Sequence, residues 1–560
     1  MADANSQLDP AVGAGTRNSI RSREYRFVLI WGIVALLITS IPYVLGAAWA
    51  TEDRVFGGFV YAIEDCYSYL AKMRQGAEGA WLFRIAYTPE PNRGALFFPF
   101  HLMLGKIAAI LPGSDLTTRM VLVYHGARIV FGLGLLLTIY RFLAAFTERV
   151  VVRRLAWLML TFGGGLGWLL VVVGQPGWLG SMPLDFILPE GFTFLVLYGF
   201  PHIALARSLL LGGILCLLRA WEAHPKDRLP GARLKWTALV GCQWLVMGLI
   251  VPFYVPVAWV VMAIAWLTLG LRGRRIHWQE AWSAVGVGLI SAPVVLYGAW
   301  VFLVDPVYKA WGAQNLILSP HPFHYLAAYG VLLFLAAFVV RDVWRDEGDA
   351  WLALAWVAAT PILVYLPINV QRRLIEGAQV PLGLLAGLGL VKITNFRLRV
   401  LNVRSGLIVG FVLVILTLTN VMLVAGSCLS LRGQPAPMYR DAGEVAALDW
   451  LGENEEIGFD DVVLASYQTG NYVPARTKTR SFVGHGPESI RSDEKKGLVA
   501  QFFAATTGDL WRRDLLSEYG VDWVFWGPVE REVGTFDPHE AAYLQPVYEA
   551  SGYVIFRVQQ

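Results

Sequence analysis

The sequence predicts a polytopic α-helical membrane protein with a small α/β domain at its C-terminus, and two observations support this fold class. The chain of 560 residues is 56% hydrophobic and only 16% charged, which is too apolar for an ordinary soluble protein. Its apolar residues form segments of about 20 residues, the length that crosses a bilayer as a helix, and this pattern stops near residue 433. We expect a tail at 1–26, a membrane domain at 27–432 and a domain outside the membrane at 433–560.

The polar tail has four arginines between Arg17 and Arg26 and is followed by an apolar run at 27–49. This run is longer than the core of a signal peptide. We therefore expect a retained signal anchor in the inner or plasma membrane, with the N-terminus in the cytoplasm and the C-terminal domain on the extracytoplasmic side.

Ten further apolar segments bring the number of candidate spans to eleven. They are 120–146, 154–174, 192–218, 235–252, 253–271, 280–303, 322–341, 350–366, 379–392 and 405–427. Another apolar segment, 96–112, is predicted to lie at the outer interface as an interfacial or re-entrant helix. If it crossed, the basic loop from Arg149 to Arg154 would face outward with every later basic loop, against the tendency of Arg and Lys to stay in the cytoplasm.

With eleven spans, one side of the membrane receives nearly all basic loops. The cytoplasmic loops are 149–154, 219–235, 272–275, 341–345 and 392–404. The segments that face outside, with the C-terminus, are 50–119, 175–191, 304–321 and 367–378.

The C-terminal domain is predicted to alternate strands with helices, which is typical of an α/β fold. Helices are expected around 444–454, 494–505 and 510–519, and strands at 462–465, 522–526 and 553–558.

Composition disfavours several function classes. The net charge of +4 comes from basic residues in short loops beside apolar segments, where membrane topology alone predicts them, so no nucleic-acid partner is expected. The four cysteines show no metal-ligand spacing, and no disulfide framework is implied; they are Cys66, Cys216, Cys242 and Cys428. A soluble nucleotide donor is disfavoured because the chain has no glycine-rich phosphate-binding motif.

Two adjacent carboxylates, Glu64 and Asp65, lie in the first outer loop, 50–119. They open a predicted interfacial helix with Tyr69 and Leu70 on its apolar side. In such a half-dry site a carboxylate can act as a general base towards an acceptor hydroxyl or hold a divalent cation. The alternative is a helix cap, because Asp is a preferred N-cap residue.

The fourth outer segment contains Arg372 and Arg373, whereas the other basic junctions between spans face the cytoplasm. Two guanidiniums beside the bilayer can bind phosphate oxygens bidentately, and a lipid phosphate is the natural anion at that depth. The alternative is a salt bridge, for example to Glu376, with snorkelling into the headgroups.

Acidic residues in the second outer segment are candidates for a substrate or metal site. Asp185 and Glu190 are placed to complete an acidic or metal-binding cluster with Asp65 across a cavity. A divalent cation is possible, but the motifs do not require one. His202, in the next span, fits a hydrogen-bonded core histidine better than a ligand.

The third outer segment and the C-terminal domain add further candidates. Trp311, Gln314 and Asn315 offer a stacking face and amides for a sugar, although Trp is also enriched at membrane interfaces. His485 lies in a loop at a strand end, where α/β sheets often place ligand sites, and simple turn chemistry is the alternative there.

These features together resemble the GT-C superfamily of integral membrane glycosyltransferases, which includes protein O-mannosyltransferases and the aminoarabinose transferase of lipid A. The resemblance covers most of the chain as an architecture. It is supported locally by Glu64-Asp65, by Phe97-Phe98-Pro99, and by Gln371-Arg372-Arg373 with Glu376-Gly377.

The resemblance implies transfer of a sugar from a polyprenyl-phosphate or polyprenyl-diphosphate donor, among membrane lipids, to a protein or glycolipid acceptor. It implies that Asp65 is the catalytic carboxylate and that Arg372 and Arg373 bind the lipid phosphate. The Asp-x-Asp of oligosaccharyltransferases is absent from the next outer loop, where only Asp185 and Glu190 are present. This departure from the family pattern counts against a metal-dependent mechanism without excluding a divalent cation.

Two other functions share parts of this pattern. A secondary transporter or flippase of lipid-linked saccharides would explain the helix interruption at Gly163–Gly165, but it predicts an internal repeat that the sequence does not show. A ligase of completed polymers onto a lipid would use the same phosphate chemistry without the early acidic pair.

Overall fold

The computed structural model describes residues 20–113, 115–222, 231–345, 349–400 and 405–559. Most of the tail at 1–26 lies outside these residues. So do three basic residues of the predicted cytoplasmic loops, which are Lys226, Arg228 and Arg404.

Helices make up most of the described chain. They are α1 (Ser22–Ala48), α2 (Ile63–Ala77), α3 (Pro99–Ile110), α4 (Leu116–Phe146), α5 (Val150–Phe162), α6 (Gly167–Val172), α7 (Leu184–Ile187), α8 (Thr193–Gly199), α9 (Pro201–Glu222), α10 (Ala232–Ile250), α11 (Tyr254–Gly273), α12 (Trp278–Val304), α13 (Pro306–Gln314), α14 (Pro322–Ala337), α15 (Val340–Arg345), α16 (Trp351–Leu363), α17 (Gln379–Val400), α18 (Ser405–Leu431), α19 (Ala442–Glu453), α20 (Tyr467–Arg476), α21 (Ser492–Phe503), α22 (Asp509–Glu518) and α23 (Pro528–Val533). Short 3₁₀ turns occur at Trp178–Gly180, Gln371–Ile375 and Pro538–Glu540.

The predicted polytopic membrane architecture is confirmed. Seven helical segments of the described residues are long and apolar enough to cross a membrane, and they are Ser22–Ala48, Leu116–Phe146, Val150–Val172, Pro201–Glu222, Tyr254–Gly273, Trp278–Val304 and Gly406–Leu431. Along α12, the exposed side chains Leu289, Leu296 and Leu303 recur every two turns, as expected of a face that meets lipid. The number of eleven spans stays a prediction.

The predicted span 154–174 is interrupted at Gly163–Gly165, between α5 and α6. The backbone there packs closely on α14, because a Cβ added to Gly165 would lie 2.3 Å from the Ala328 carbonyl oxygen. Neighbouring helices satisfy the freed N–H groups, for example Gly164, which donates to Leu416 at 2.7 Å. Irregular backbone at membrane depth needs such partners.

The segment predicted to be interfacial forms α3, which has 12 residues and therefore a length of about 18 Å, too short for a bilayer core of about 30 Å. Pro99 occupies its first turn, a position that needs no N–H donor. Two glycines bring α3 against α2: a Cβ on Gly105 would lie 1.7 Å from the Met73 carbonyl oxygen, and one on Gly76 would lie 2.0 Å from that of Leu102.

The C-terminal region, defined as residues 433–559, contains one five-stranded sheet. Its strands are β3 (Val462–Leu464), β4 (Arg480–Ser481), β5 (Trp523–Trp526), β6 (Leu544–Ala550) and β7 (Tyr553–Val558), in the order β4-β3-β5-β7-β6. Pairing is parallel from β4 to β5 and antiparallel from β5 to β6. The predicted strands at 462–465, 522–526 and 553–558 coincide with β3, β5 and β7. The predictions omitted both edge strands, which are β4, with two residues, and β6, which contains Pro546.

The C-terminal region packs directly on the first loop. Strand β1 (Arg54–Phe56) pairs antiparallel with β2 (Tyr439–Asp441), and Tyr67 and Leu70 of α2 share one buried cluster with Leu448 and Tyr472. Helix α2 is therefore held between the membrane helices and the C-terminal region.

Candidate active site

The acidic pair lies in the first turn of α2, but neither carboxylate caps the helix. The N-cap is Ala62, whose φ of 46° is left-handed, and no side chain of the described residues makes a capping hydrogen bond there. Glu64 is exposed and accepts a hydrogen bond of 2.9 Å from the Tyr467 hydroxyl. Asp65, one residue on, points in a different direction and lines a cavity. The two acids therefore have different surroundings although they are neighbours in sequence.

This cavity, the chamber, has a volume of about 540 Å³ and is partly open. Its wall comes from α2, the segment before α3, the segments around Glu190 and Phe253, α12, α13 and the 3₁₀ turn at Gln371–Ile375. Most lining residues are apolar or aromatic. The predicted site residues that line it are Asp65, Glu190, His202, Trp311, Asn315, Arg372 and Arg373.

The two arginines differ in their partners. Arg373 Nε lies 3.4 Å from Glu190 Oε1, and its guanidinium lies 5.7 Å from the centre of the Phe253 ring. The Arg372 side chain makes no ion pair with any residue that the structure describes, although its backbone N–H donates to Ile317. The chamber thus contains one guanidinium that is held by a carboxylate and one that is available to an anion.

Glu376, the alternative salt-bridge partner considered for the arginine pair, pairs with neither Arg372 nor Arg373 and does not line the chamber. Glu376 is buried and accepts a hydrogen bond of 3.0 Å from Arg207 Nη2 instead, and neither side chain has exposed area. Arg207 also donates to the carbonyl oxygens of Pro189 and Glu190. Through these carbonyl contacts, Arg207 fixes the segment that bears Glu190 against α9. Its ion pair with Glu376 holds that carboxylate in the interior, which explains why Glu376 is absent from the chamber wall.

The predicted cluster of Asp185 with Asp65 is wrong. Asp185 is fully buried, and its Oδ2 accepts hydrogen bonds from the N–H groups of Gly165 and Gly167 and from the Thr419 hydroxyl. The carboxylate therefore stabilises the interruption between α5 and α6. Its structural partners were not visible in the sequence because Thr419 lies 234 residues away.

Gln314 lies outside the chamber wall as well. Its amide donates to the carbonyl oxygens of Pro487 and Ser489, at 3.2 and 2.8 Å. It thereby joins the segment 304–321 to the C-terminal loop that bears His485. His202 does line the chamber, and its ring packs edge-on against Tyr69 with the ring centres 4.9 Å apart.

His485 contacts Asp65 directly, with 3.0 Å between His485 Nε2 and Asp65 Oδ1. On its other side, His485 Nδ1 lies 3.5 Å from Glu488 Oε1, which accepts from Lys72 Nζ and from the Ser68 hydroxyl, both at 2.6 Å. The chamber is therefore connected to the interior of the C-terminal region by four side chains whose charges alternate in sign, which are Asp65, His485, Glu488 and Lys72.

These contacts shift three pKa values. Burial favours the neutral form of the His485 ring, but its hydrogen bond with Asp65 and the nearby Glu488 carboxylate outweigh burial and raise its pKa to about 9. Burial raises the pKa of Asp65, yet His485, Arg373 and Lys72 together hold it below its usual value. Glu488, beside Lys72 and His485, has a pKa lowered to about 2 against the effect of burial. At neutral pH the imidazole is thus protonated and both carboxylates are ionised.

Sequence reasoning missed Lys72, Glu488 and Ser68 as part of this site. A signal was present, because Asp65, Ser68 and Lys72 are spaced by three and four residues and share one face of α2. The partner Glu488 could not be paired with Lys72 in advance, since 416 residues separate them.

The carboxylates of the chamber do not suit a divalent cation. Asp65 is bonded to an imidazolium and Glu190 to a guanidinium, so each already has a cationic partner. Within the described ranges no three His, Cys, Asp or Glu side chains form a metal-binding group. The donor set does not fit a metal ion, and no chemical step below is assigned to one.

Comparison with solved structures finds membrane proteins of similar fold. AglB, the archaeal oligosaccharyltransferase of Archaeoglobus fulgidus in complex with an inhibitory peptide and a dolichol-phosphate, matches with a TM-score of 0.54 at 14% identity, covering 96% of this chain and 75% of that one. ArnT of Cupriavidus metallidurans bound to undecaprenyl phosphate matches with a TM-score of 0.51 at 13% identity, covering 95% and 98%. No protein-family model and no curated protein matches the chain.

Proposed function

On the basis of the GT-C fold, which the chain shares with these membrane glycosyltransferases, we propose that it transfers a sugar from a polyprenyl-phosphate donor to an acceptor hydroxyl on the extracytoplasmic face. The observation that carries the proposal is the presence of Asp65, Arg372 and Arg373 in one chamber. Such a transfer needs a base for the nucleophilic hydroxyl, which the carboxylate supplies. It also needs cations for the phosphate, which the two guanidiniums supply.

The donor phosphate binds at Arg372 and Arg373 in this proposal. Arg372 has no competing ion pair within the described chain, and Arg373 is oriented by Glu190 at 3.4 Å. Guanidinium forks match phosphate oxygens bidentately. The two structural neighbours described above contain a dolichol-phosphate and an undecaprenyl phosphate, which supports a lipid phosphate as the ligand here.

Asp65 acts on the acceptor. Its carboxylate accepts the proton of the acceptor hydroxyl as the hydroxyl oxygen attacks the anomeric carbon. The bond between that carbon and the phosphate oxygen breaks, and the electron pair leaves with the polyprenyl phosphate, where Arg372 and Arg373 neutralise the growing charge. A single displacement of this kind inverts the anomeric configuration.

His485, Arg373 and Lys72 lower the pKa of Asp65 more than burial raises it. The carboxylate is therefore ionised at neutral pH and able to accept a proton. A weakly basic carboxylate is sufficient because the hydroxyl becomes more acidic as its bond to the anomeric carbon forms. Positioned base catalysis of this type contributes about 10²- to 10⁴-fold.

Reconstituted vesicles test the proposal. Full-length protein is supplied with radiolabelled polyprenyl-phosphate sugars and with cell membranes as the source of acceptor, and transfer into a glycosidic bond is measured. Asp65→Asn should lower turnover by about 10²- to 10⁴-fold while donor binding changes little. Glu78→Gln is the matched control, because this acid lies at the exposed far end of α2.

Normal turnover of Asp65→Asn rejects Asp65 as the base. Movement of label across the vesicle membrane without a new glycosidic bond rejects a glycosyltransferase and supports the transporter or flippase instead.

A further inference from the structure

We propose that the C-terminal region completes the active site by supplying His485 as the residue that positions the Asp65 carboxylate, with Glu488 and Lys72 holding His485 in place. This inference rests on the proposed role of Asp65 as the base. It makes His485 a positioning residue, since it reaches the substrate only through Asp65.

The contacts of Asp65 leave one oxygen for the substrate. Oδ1 is bonded to His485 Nε2 at 3.0 Å, and Oδ2 accepts no hydrogen bond from the described residues. The side chain is 46% exposed, and that exposure is to the chamber that Asp65 lines. A carboxylate fixed through one oxygen presents the other in a defined direction, which an acceptor hydroxyl requires for in-line attack.

Three buried side chains support this contact from behind. The His485, Glu488 and Lys72 side chains are 7%, 6% and 1% exposed. Lys72 lies on α2 and Glu488 on the C-terminal loop, so their hydrogen bond of 2.6 Å joins the two parts of the protein beside Asp65. The Phe98 ring covers Lys72 Nζ at 4.4 Å, which excludes water from the cation.

The loop that bears His485 is held at several points. The Gly484 N–H donates to the Ser489 hydroxyl at 2.9 Å, and the Gly486 N–H donates to the Tyr467 hydroxyl at 3.0 Å. A Cβ added to Gly484 would lie 2.4 Å from the Gly470 carbonyl oxygen, so the loop packs on α20 by its backbone. These restraints fix the position of the imidazole before any substrate binds.

A purely structural contact between α2 and the C-terminal region would be simpler to build from apolar residues. Burying ionised groups carries a desolvation penalty that their attraction often only balances. The adjoining surface is already apolar, with Tyr67 and Leu70 packed against Leu448 and Tyr472. A chain of ionised groups that ends at the chamber carboxylate is therefore better explained by a role in the site.

The groups around His485 determine how activity should depend on pH. Asp65 bonds to its Nε2, Glu488 lies 3.5 Å from its Nδ1, and Tyr87 packs at 5.7 Å between ring centres. Lys72 neutralises Glu488, and Glu64 lies behind Tyr467. Two carboxylates close to the ring raise the pKa of His485 to about 9. Activity should therefore fall as pH rises through about 9, where the ring keeps a single N–H and can no longer face both Asp65 and Glu488 with a proton.

The test measures kcat, donor KM and the pH profile of transfer for full-length His485→Gln in vesicles. We expect kcat to fall about 10- to 100-fold with the donor KM within about twofold, since the arginines are untouched. The alkaline limb near pH 9 should disappear. The acidic limb should move to higher pH, because the cation that depresses the Asp65 pKa is gone. The control is His539→Gln, an exposed histidine of the same region.

Glu488→Gln is the second variant, and it guards against misfolding because its amide oxygen can still accept from Lys72. Removing this negative charge lowers the pKa of His485, so the alkaline limb should move to lower pH. The inference is overturned if His485→Gln keeps wild-type kcat and pH profile, or if both variants only lose thermal stability while the pH profile stays unchanged. Either result, with Asp65→Asn inactive, leaves the proposed function standing; a fully active Asp65→Asn overturns the proposed function itself.

Discussion

Arg372→Ala and Arg373→Ala should weaken donor binding unequally, because the two guanidiniums have different partners. Arg372 makes no ion pair with the residues that the structure describes, so its removal chiefly deletes a contact with the phosphate, besides a longer-range attraction to Glu190. Removing Arg373 also releases Glu190, whose side chain is 6% exposed, beside the phosphate. The second variant therefore loses an attraction and adds a repulsion.

The contacts set the expected magnitudes. A hydrogen bond to a charged group contributes about 1.5–3 kcal/mol net, so Arg372→Ala should raise the dissociation constant for polyprenyl phosphate about 10- to 150-fold. At an effective dielectric constant of about 20, an unpaired carboxylate repels a phosphate charge by roughly 2–4 kcal/mol for any separation of about 4–8 Å. Arg373→Ala should therefore bind at least about tenfold more weakly than Arg372→Ala. Adding Glu190→Gln to Arg373→Ala should restore most of this difference.

The assay is titration of purified protein in lipid nanodiscs with labelled polyprenyl phosphate. Arg93→Ala serves as the control, because Arg93 is an exposed arginine of the first loop outside the chamber wall. The reasoning about the Glu190 contact would be refuted if Arg372→Ala and Arg373→Ala lost equal affinity for polyprenyl phosphate. It would also be refuted if Glu190→Gln did not restore affinity to the Arg373→Ala protein.

Two predictions concern stability and are read from thermal unfolding in detergent. Arg207→Leu leaves the Glu376 carboxylate buried without its cation and should cost about 3–5 kcal/mol of stability. The double variant Arg207→Leu with Glu376→Leu should lose less stability. A double variant at least as unstable as the single one contradicts this prediction. Gly105→Ala places a Cβ 1.7 Å from the Met73 carbonyl oxygen and should cost about 1–3 kcal/mol. Gly126→Ala is the control, because a Cβ there meets no atom of the described residues within 4 Å. An unchanged unfolding midpoint for Gly105→Ala would show that α2 and α3 separate freely.

Much of the architecture could be predicted because the signals are local. A run of about 20 apolar residues is energetically unfavourable anywhere but in a bilayer, which is why α1, α4 and α12 coincide with predicted spans. Strands β3, β5 and β7 are short apolar runs, while β6 carries Pro546 and is largely exposed at the sheet edge, so its pattern is weak. The interruption before α6 had a local signal in three consecutive glycines, but not the partner that stabilises it, Asp185.

The candidate site likewise has features that local sequence predicted and features that only the tertiary structure decided. The sequence alone placed an acid pair at the start of a helix and an arginine pair in a segment between two apolar helices, because helix starts and loops follow from neighbouring residues. Only the tertiary structure decided which acid enters the chamber. Consecutive helix residues point about 100° apart, so the rotation of α2 under the packing of α3 and the C-terminal region turns Asp65 inward and Glu64 towards Tyr467. The contact of Asp65 with His485, 420 residues away, depends on how the chain closes on itself, and no local pattern encodes that.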